Sequence, residues 1–244
     1  MKFRSHNSII GLFHPDMSSE PSLLSRDSLA SGAIQQLVRD RDGEEADILS
    51  DEELLASRRS LIPDDHQGEV WLFGYGSLIW NPVIEIAERH TGRIYGYHRR
   101  YCLKTKIGRG TPEKPGLVLG LDHGGSCLGQ ALRICDTRKA TDELDLLWRR
   151  EMLNRSYLPK SVAVHTKTGR RINAITFVMN HQSPSYVADL SLDEKAQMIA
   201  EAHGFIGTSL DYLDLTLESL NDLGIKDNYL GEIKRRILAY KNSS

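Results

Sequence analysis

The chain has 244 residues, 40% of them hydrophobic, enough to bury one sizeable core and to carry an appended segment. Thirty-one Lys and Arg against 33 Asp and Glu leave a formal charge of −2, so no global field points to nucleic acid or an anionic membrane; the expected partner is a small molecule or another protein. Three cysteines, Cys102, Cys127 and Cys135, without C-x-x-C spacing disfavour a disulfide framework and a zinc cage and fit a reducing cytoplasm.

Residues 1–68 are rich in Ser, Asp, Glu and Arg and read as an N-terminal extension, partly helical or loose. Its apolar run Ile9–Phe13 is short and followed by His14, Pro15 and Asp16, which suits neither a signal peptide nor a membrane span. Helical patches are expected at Leu23–Val38 and Asp51–Leu61, the second opened by a capping box of Ser50 and Glu53. From residue 69 to 244 the pattern is that of one domain. Short apolar and β-branched runs at Val70–Phe73, Ile94–Leu103, Leu117–Leu121 and Ala131–Cys135 predict strands, and Ser161–Thr166 with Ile172–Met179 predict a hairpin around Gly169. Between these groups lies a helix over Asp142–Arg155. Three more follow: Leu192–His203, capped by Ser191 and Glu194 and stopped at Gly204; Ser209–Leu223, ending at Gly224; and Tyr229–Tyr240. Strands first and helices afterwards favour an α+β fold.

Two places carry chemistry. Val70–Phe73 breaks into Gly74-Tyr75-Gly76-Ser77-Leu78-Ile79, where glycine permits positive φ and close approach of a ligand, and consecutive N–H groups can cradle a carboxylate or a polarised carbonyl. A tight structural turn explains the same letters. The segment lacks the Lys-[Ser/Thr] ending of a P-loop, the third glycine of a dinucleotide fingerprint, and the final glycine of Gly-x-Ser-x-Gly, so Ser77 reads as a hydrogen-bonding loop residue before a nucleophile. In the helix over 142–155, Leu144, Leu147 and Trp148 form an apolar stripe and Glu151 follows at i+7, which places a carboxylate on the buried face. Burial raises a carboxyl pKa and suits a general base near neutral pH; a stripe-edge glutamate snorkelling to solvent or bonded to a strand fits the spacing as well. Arg149 and Arg150 point elsewhere round an ideal helix, so neither is automatically its partner. Lys104, Lys106 and Arg109 form a basic cluster that suits a solvated loop or a substrate carboxylate. The nine histidines show no tight ligand pair, so no metal site is expected.

Together, Phe73–Pro82, Gly108-Arg109-Gly110-Thr111-Pro112, and Trp148-Arg149-Arg150-Glu151-Met152 followed by Tyr157-Leu158-Pro159 resemble the ChaC family of γ-glutamylcyclotransferases, from about Glu69 to about Arg236. The resemblance implies a compact mixed β-barrel with peripheral helices, no metal or organic cofactor, and conversion of glutathione to 5-oxo-L-proline and cysteinylglycine. It implies Glu151 as the catalytic acid/base and Gly74, Tyr75, Gly76, Ser77, Leu78 and Ile79 as the substrate-binding loop, and it assigns no role to Arg109, Tyr157 or residues 1–68. A cyclotransferase for other γ-glutamyl amines or amino acids, and a non-catalytic module binding a γ-glutamyl ligand, remain as alternatives.

Overall fold

Residues 24–42, 47–135 and 140–243 are described by a computed structural model; the run at 9–13 and Leu23 lie outside them. The first expected helix is two, α1 (Arg26–Ala30) and α2 (Ala33–Asp42), separated where Gly32 adopts φ 71°. Next comes α3 (Asp51–Arg59), opened by the Ser50–Glu53 capping box. Then follow β1 (Trp71–Gly74), the single turn α4 (Ser77–Trp80), and two long strands, β2 (Ile86–Thr105) and β3 (Gly116–Ile134). After them come α5 (Ala140–Glu151), the hairpin β4 (Tyr157–Thr166) and β5 (Arg171–Met179), and α6 (Leu192–Glu201). A two-residue ribbon, β6 (His203–Gly204) with β7 (Gly207–Thr208), leads into α7 (Ser209–Asp222) and α8 (Asn228–Ser243).

The five longer strands close a barrel in the order β1-β3-β2-β4-β5, an α+β architecture with peripheral helices. Closure comes from β5, which pairs in parallel with β1 at Leu72↔Ile175 and with β3 at Leu121↔Val178. Phe73, Ile94, Tyr101, Leu117 and Leu119 fill one core cluster and meet Ile199 of α6, Leu213 of α7 and Ile233 of α8. A second cluster joins Leu72 and Phe177 to Leu54 of α3 and Leu144, Leu147 and Trp148 of α5. The helices therefore bury the two faces of the barrel wall that the alternating strands leave apolar.

Three expectations need correction. The runs Leu117–Leu121 and Ala131–Cys135 are the two ends of one strand, β3, which pairs with β2 from Ile86↔Ile134 to Thr105↔Gly116. Its polar, glycine-bearing middle hides this continuity, and a register shift between Tyr95↔Ser126 and Tyr97↔His123 bends the ribbon without breaking it. The helix expected to reach Arg155 ends at Glu151, because the Asn154 side-chain oxygen accepts from the Ser156 N–H at 3.1 Å and turns the chain toward β4. Finally, Gly204 does not stop α6, which ends at Glu201. A Cβ at Gly204 would lie 2.3 Å from the Gly108 carbonyl oxygen, so glycine lets the β6–β7 ribbon pack against that backbone.

Candidate active site

Glu151 is the last residue of α5, and the buried stripe Leu144, Leu147 and Trp148 holds it against the barrel. Its side chain is 14% exposed. Burial pushes its carboxyl pKa up, and the neighbouring Arg150 charge, which pulls it down, does not cancel that effect. The C-terminal end of a helix dipole disfavours a carboxylate in the same direction. Arg150 Nε lies 3.0 Å from Glu151 Oε1, so the arginine adjacent in sequence does reach the carboxylate. The same guanidinium donates through Nη2 to Ser77 Oγ at 2.8 Å and through Nη1 to the Asn81 carbonyl. Arg150 thereby joins the glutamate to the two ends of α4. Ser77 accepts a hydrogen bond here and has no base beside it that would make it a nucleophile.

The glycine loop uses its glycines for close approach. Neither Gly74 nor Gly76 has positive φ. A Cβ at Gly76 would stand 2.8 Å from the Tyr212 hydroxyl oxygen, closer than packing allows. Leu78 and Ile79 are buried in the two separate core clusters, which anchors the turn and leaves only their backbone to a ligand. The N–H groups in the first turn of a helix lack intrahelical acceptors, so α4 presents donors at Ser77 and Leu78.

Three tyrosines close round Glu151. Tyr75 donates to the Phe177 carbonyl at 3.1 Å and Tyr157 to the Leu119 carbonyl at 2.7 Å, tying loop and β4 to opposite strands of the barrel. Burial first and the Glu151 charge among the further causes raise the hydroxyl pKa of all three, Tyr75, Tyr157 and Tyr212, the last to about 12. They are therefore neutral hydroxyls at physiological pH. Nothing in the sequence singles out Tyr212, which shares the apolar stripe of α7 with Leu213, Thr216 and Leu220. Arg99 is also invisible to pattern reading: its Nε donates to the Tyr75 carbonyl, Nη2 to the Leu128 carbonyl at 2.6 Å, and Nη1 to Asp227 at 2.6 Å. It pins the backbone of the glycine loop from beneath.

A cavity of about 450 Å³ opens beside this cluster, within the usual range for small-molecule sites. Arg150, Glu151 and Tyr157 line it, whereas residues 74–79 do not; they connect to it through Arg150. Lys104 and Lys106 also line it. Arg109 does not: it donates to the Thr208 carbonyl at 3.1 Å and lies 5.9 Å from the Tyr212 ring centroid. The basic cluster seen in the sequence is thus divided. A second cavity of about 340 Å³ is lined by His98, Arg99, Arg100, Cys127, Asp227 and Tyr229. There Arg99 is consumed by three hydrogen bonds, and burial raises the Cys127 thiol pKa, which leaves that thiol unactivated as a nucleophile. Cys102, Cys127 and Cys135 are all free thiols.

The sequence profile of the ChaC-like protein family matches residues 70–240, from the strand before the glycine loop to the last helix. The chain belongs to that family. This ChaC-like chain is 41% identical over 179 residues to the glutathione-specific γ-glutamylcyclotransferase of Escherichia coli, spanning 73% of the chain and 76% of that protein. It is 31% identical over 194 residues to the protein of the same name from Schizosaccharomyces pombe, spanning 70% and 93% respectively. The fold matches a solved γ-glutamylcyclotransferase specific to glutathione from yeast with a TM-score of 0.65, at 23% identity, over 71% of the chain and 97% of that structure. The ChaC-like match begins after α1, α2 and α3, so these helices lie outside the family profile. No helix among the described residues is long and apolar enough to cross a membrane.

Proposed function

We propose that the chain is a γ-glutamylcyclotransferase that converts glutathione to 5-oxo-L-proline and cysteinylglycine, with Glu151 as acid and base. The observation that carries this reading is a buried carboxylate of raised pKa on a cavity wall, joined by Arg150 to the glycine loop, in a ChaC-like fold. Both curated relatives described above bear that activity in their names.

Cyclisation needs the γ-glutamyl α-amine deprotonated and folded onto its own side-chain amide carbonyl. Glu151 accepts the amine proton as the N–C bond forms, and returns a proton to the cysteinylglycine nitrogen as the original amide bond breaks. No covalent enzyme intermediate is required. Because nucleophile and electrophile share one molecule, a site that holds the folded conformer supplies much of the acceleration; effective molarities of order 10⁵ M or more are reached by well-oriented intramolecular reactions. The loop from Gly74 to Ile79, linked to the cavity wall through Arg150, takes the γ-glutamyl group, with the N–H groups of Ser77 and Leu78 as donors to the substrate's carboxylate or the developing oxyanion. The neutral hydroxyl of Tyr157, on the cavity wall, limits the poses available. Three free cysteines accord with a reducing cytoplasm.

The test is an endpoint assay of 5-oxoproline and cysteinylglycine from reduced glutathione, with wild type and Glu151→Gln side by side and EDTA present throughout. Equimolar products from wild type and a loss of about a hundredfold or more in the variant support the reading. Folded wild type that releases no product from glutathione, or a variant as active as wild type, overturns it.

A further inference from the structure

The cavity beside Glu151 has a second end. Beyond Arg150, Glu151 and Tyr157, its lining comes from the end of β2 with Lys104 and Thr105, from Lys106 just after it, from the segment Ser183-Pro184-Ser185, and from the extension. Ile34 and Val38 of α2 face it, and the lysine segment is pinned to α2 where Arg41 Nη1 donates to the Lys106 carbonyl at 2.7 Å. The Gln35 side chain donates to the Arg149 carbonyl at 3.3 Å, fixing α2 to the helix that carries the glutamate. The extension therefore forms a wall of the chamber, although it lies outside the family profile.

The ionised groups along the lining are unequally paired. Asp42 is matched by Arg41, Nε to Oδ1 and Nη2 to Oδ2 at 2.6 Å. Asp47 is matched by Arg155 at 2.8 Å and Glu151 by Arg150 at 3.0 Å. Lys104 and Lys106 line the same cavity without an ion pair among the described residues, Asp42 attracting Lys106 only at longer range. Lys104 is the penultimate residue of β2 and Lys106 the first beyond it, so both sit where that strand runs out. The chamber thus has an acid/base at one part of its wall and, at another, two lysines without an ion pair among the described residues, a place suited to an anion.

Resting on the cyclotransferase reading, we infer that Lys104 and Lys106, walled in by α2, form a carboxylate subsite for the peptide that departs. The substrate class is then γ-glutamyl peptides ending in a free carboxylate, as opposed to γ-glutamyl amines. Such a lysine pair recognises the end of the substrate that does not react, so its contribution falls on binding.

The test compares reduced glutathione with its glycinamide, in which the terminal carboxylate is replaced by a neutral amide, for wild type, Lys104→Ala/Lys106→Ala and Lys104→Arg/Lys106→Arg. Wild type should show a kcat/KM for the amide lower by about tenfold or more, expressed in KM, the size expected for charge-assisted hydrogen bonds. The alanine variant should lose that discrimination by raising KM for glutathione while leaving the amide unaffected, and the arginine variant should keep it. Equal kcat/KM for the two substrates in wild type, or an alanine variant that loses equally on both, overturns the subsite and leaves the cyclotransferase reading standing. Failure of wild type to release 5-oxoproline from either substrate overturns both.

Discussion

The carboxyl of Glu151 does two opposed things. As a base it must be ionised, so kcat/KM should fall as pH drops through its pKa, which burial places above the ordinary value of 4.5. For stability the sign is reversed. A carboxyl whose pKa is raised by folding binds its proton more tightly in the native state, so its penalty is absent below the unfolded pKa and grows as pH rises through the folded one. Glutamine imitates the protonated acid. Glu151→Gln should therefore match wild type in Tm near pH 4 and exceed it at pH 7 to 8, while remaining inactive at both. Thermal scans of the two proteins across that range read the difference directly, and a gap that stays constant with pH sinks the assignment of a raised pKa. Arg150 moderates this conflict by standing 3.0 Å from the carboxylate.

At the scale of elements, the turn after β1 is set by one contact with α7. Gly76→Ala puts a methyl 2.8 Å from the Tyr212 hydroxyl oxygen, and both groups are buried, so one must move. The expected cost is about 1–3 kcal/mol of stability, with a larger drop in turnover because α4 shifts relative to Arg150. Tyr212→Phe removes the opposing atom. In a double-mutant cycle measured by denaturant unfolding, Gly76→Ala/Tyr212→Phe should lose less than the sum of the single changes; strict additivity would mean that the contact does not constrain the loop. This pairing also shows why parts of the site are illegible in sequence. Capping boxes at Ser50 and Ser191, the hairpin at Gly169 and the apolar stripe that carries Glu151 are local patterns, readable within a turn or two. Tyr212 meets Gly76, and Arg99 meets Tyr75 and Asp227, only across the closed barrel, and no spacing rule encodes those encounters. The continuity of β3 is hidden for the same reason, since its glycine-bearing centre becomes a strand by pairing with β2. The family, by contrast, is legible once the loop and the Glu151 motif are taken as an ordered set.

Across the whole molecule, one buried carboxylate holds the barrel seam and the cavity wall together. Asp122 of β3 accepts from His181 at 2.6 Å, from Tyr186 at 3.1 Å, from Arg100 of β2 at 3.0 Å and from the His123 N–H at 2.9 Å. The segment it grips runs from the end of β5 back along β2, where Lys104 N–H donates to the Ser185 carbonyl at 2.8 Å and Val187 N–H to the Cys102 carbonyl at 2.8 Å. Ser183, Pro184 and Ser185 of that segment line the cavity beside Lys104 and Lys106. Burial alone would raise the Asp122 pKa, but the bonds from His181, His123, Tyr186 and Arg100 outweigh it and hold the carboxyl below its ordinary 3.8. A depressed pKa contributes stability that is fully present above the unfolded value and lost as pH falls through the folded one. Asp122→Asn should then cost about 1–3 kcal/mol at pH 7, with each kcal/mol lowering Tm by roughly 2–4 °C in a chain of this size. The deficit should shrink as pH falls below about 3.8, the opposite slope to that of Glu151→Gln. Because the network supports the cavity wall, the same variant should raise KM for glutathione more than it lowers kcat. Thermal scans of wild type, Asp122→Asn and Glu151→Gln from pH 3 to 8 separate the two carboxylates by the direction of their slopes. If Asp122→Asn keeps its full deficit at pH 3, the network acts through geometry alone and its charge contributes nothing.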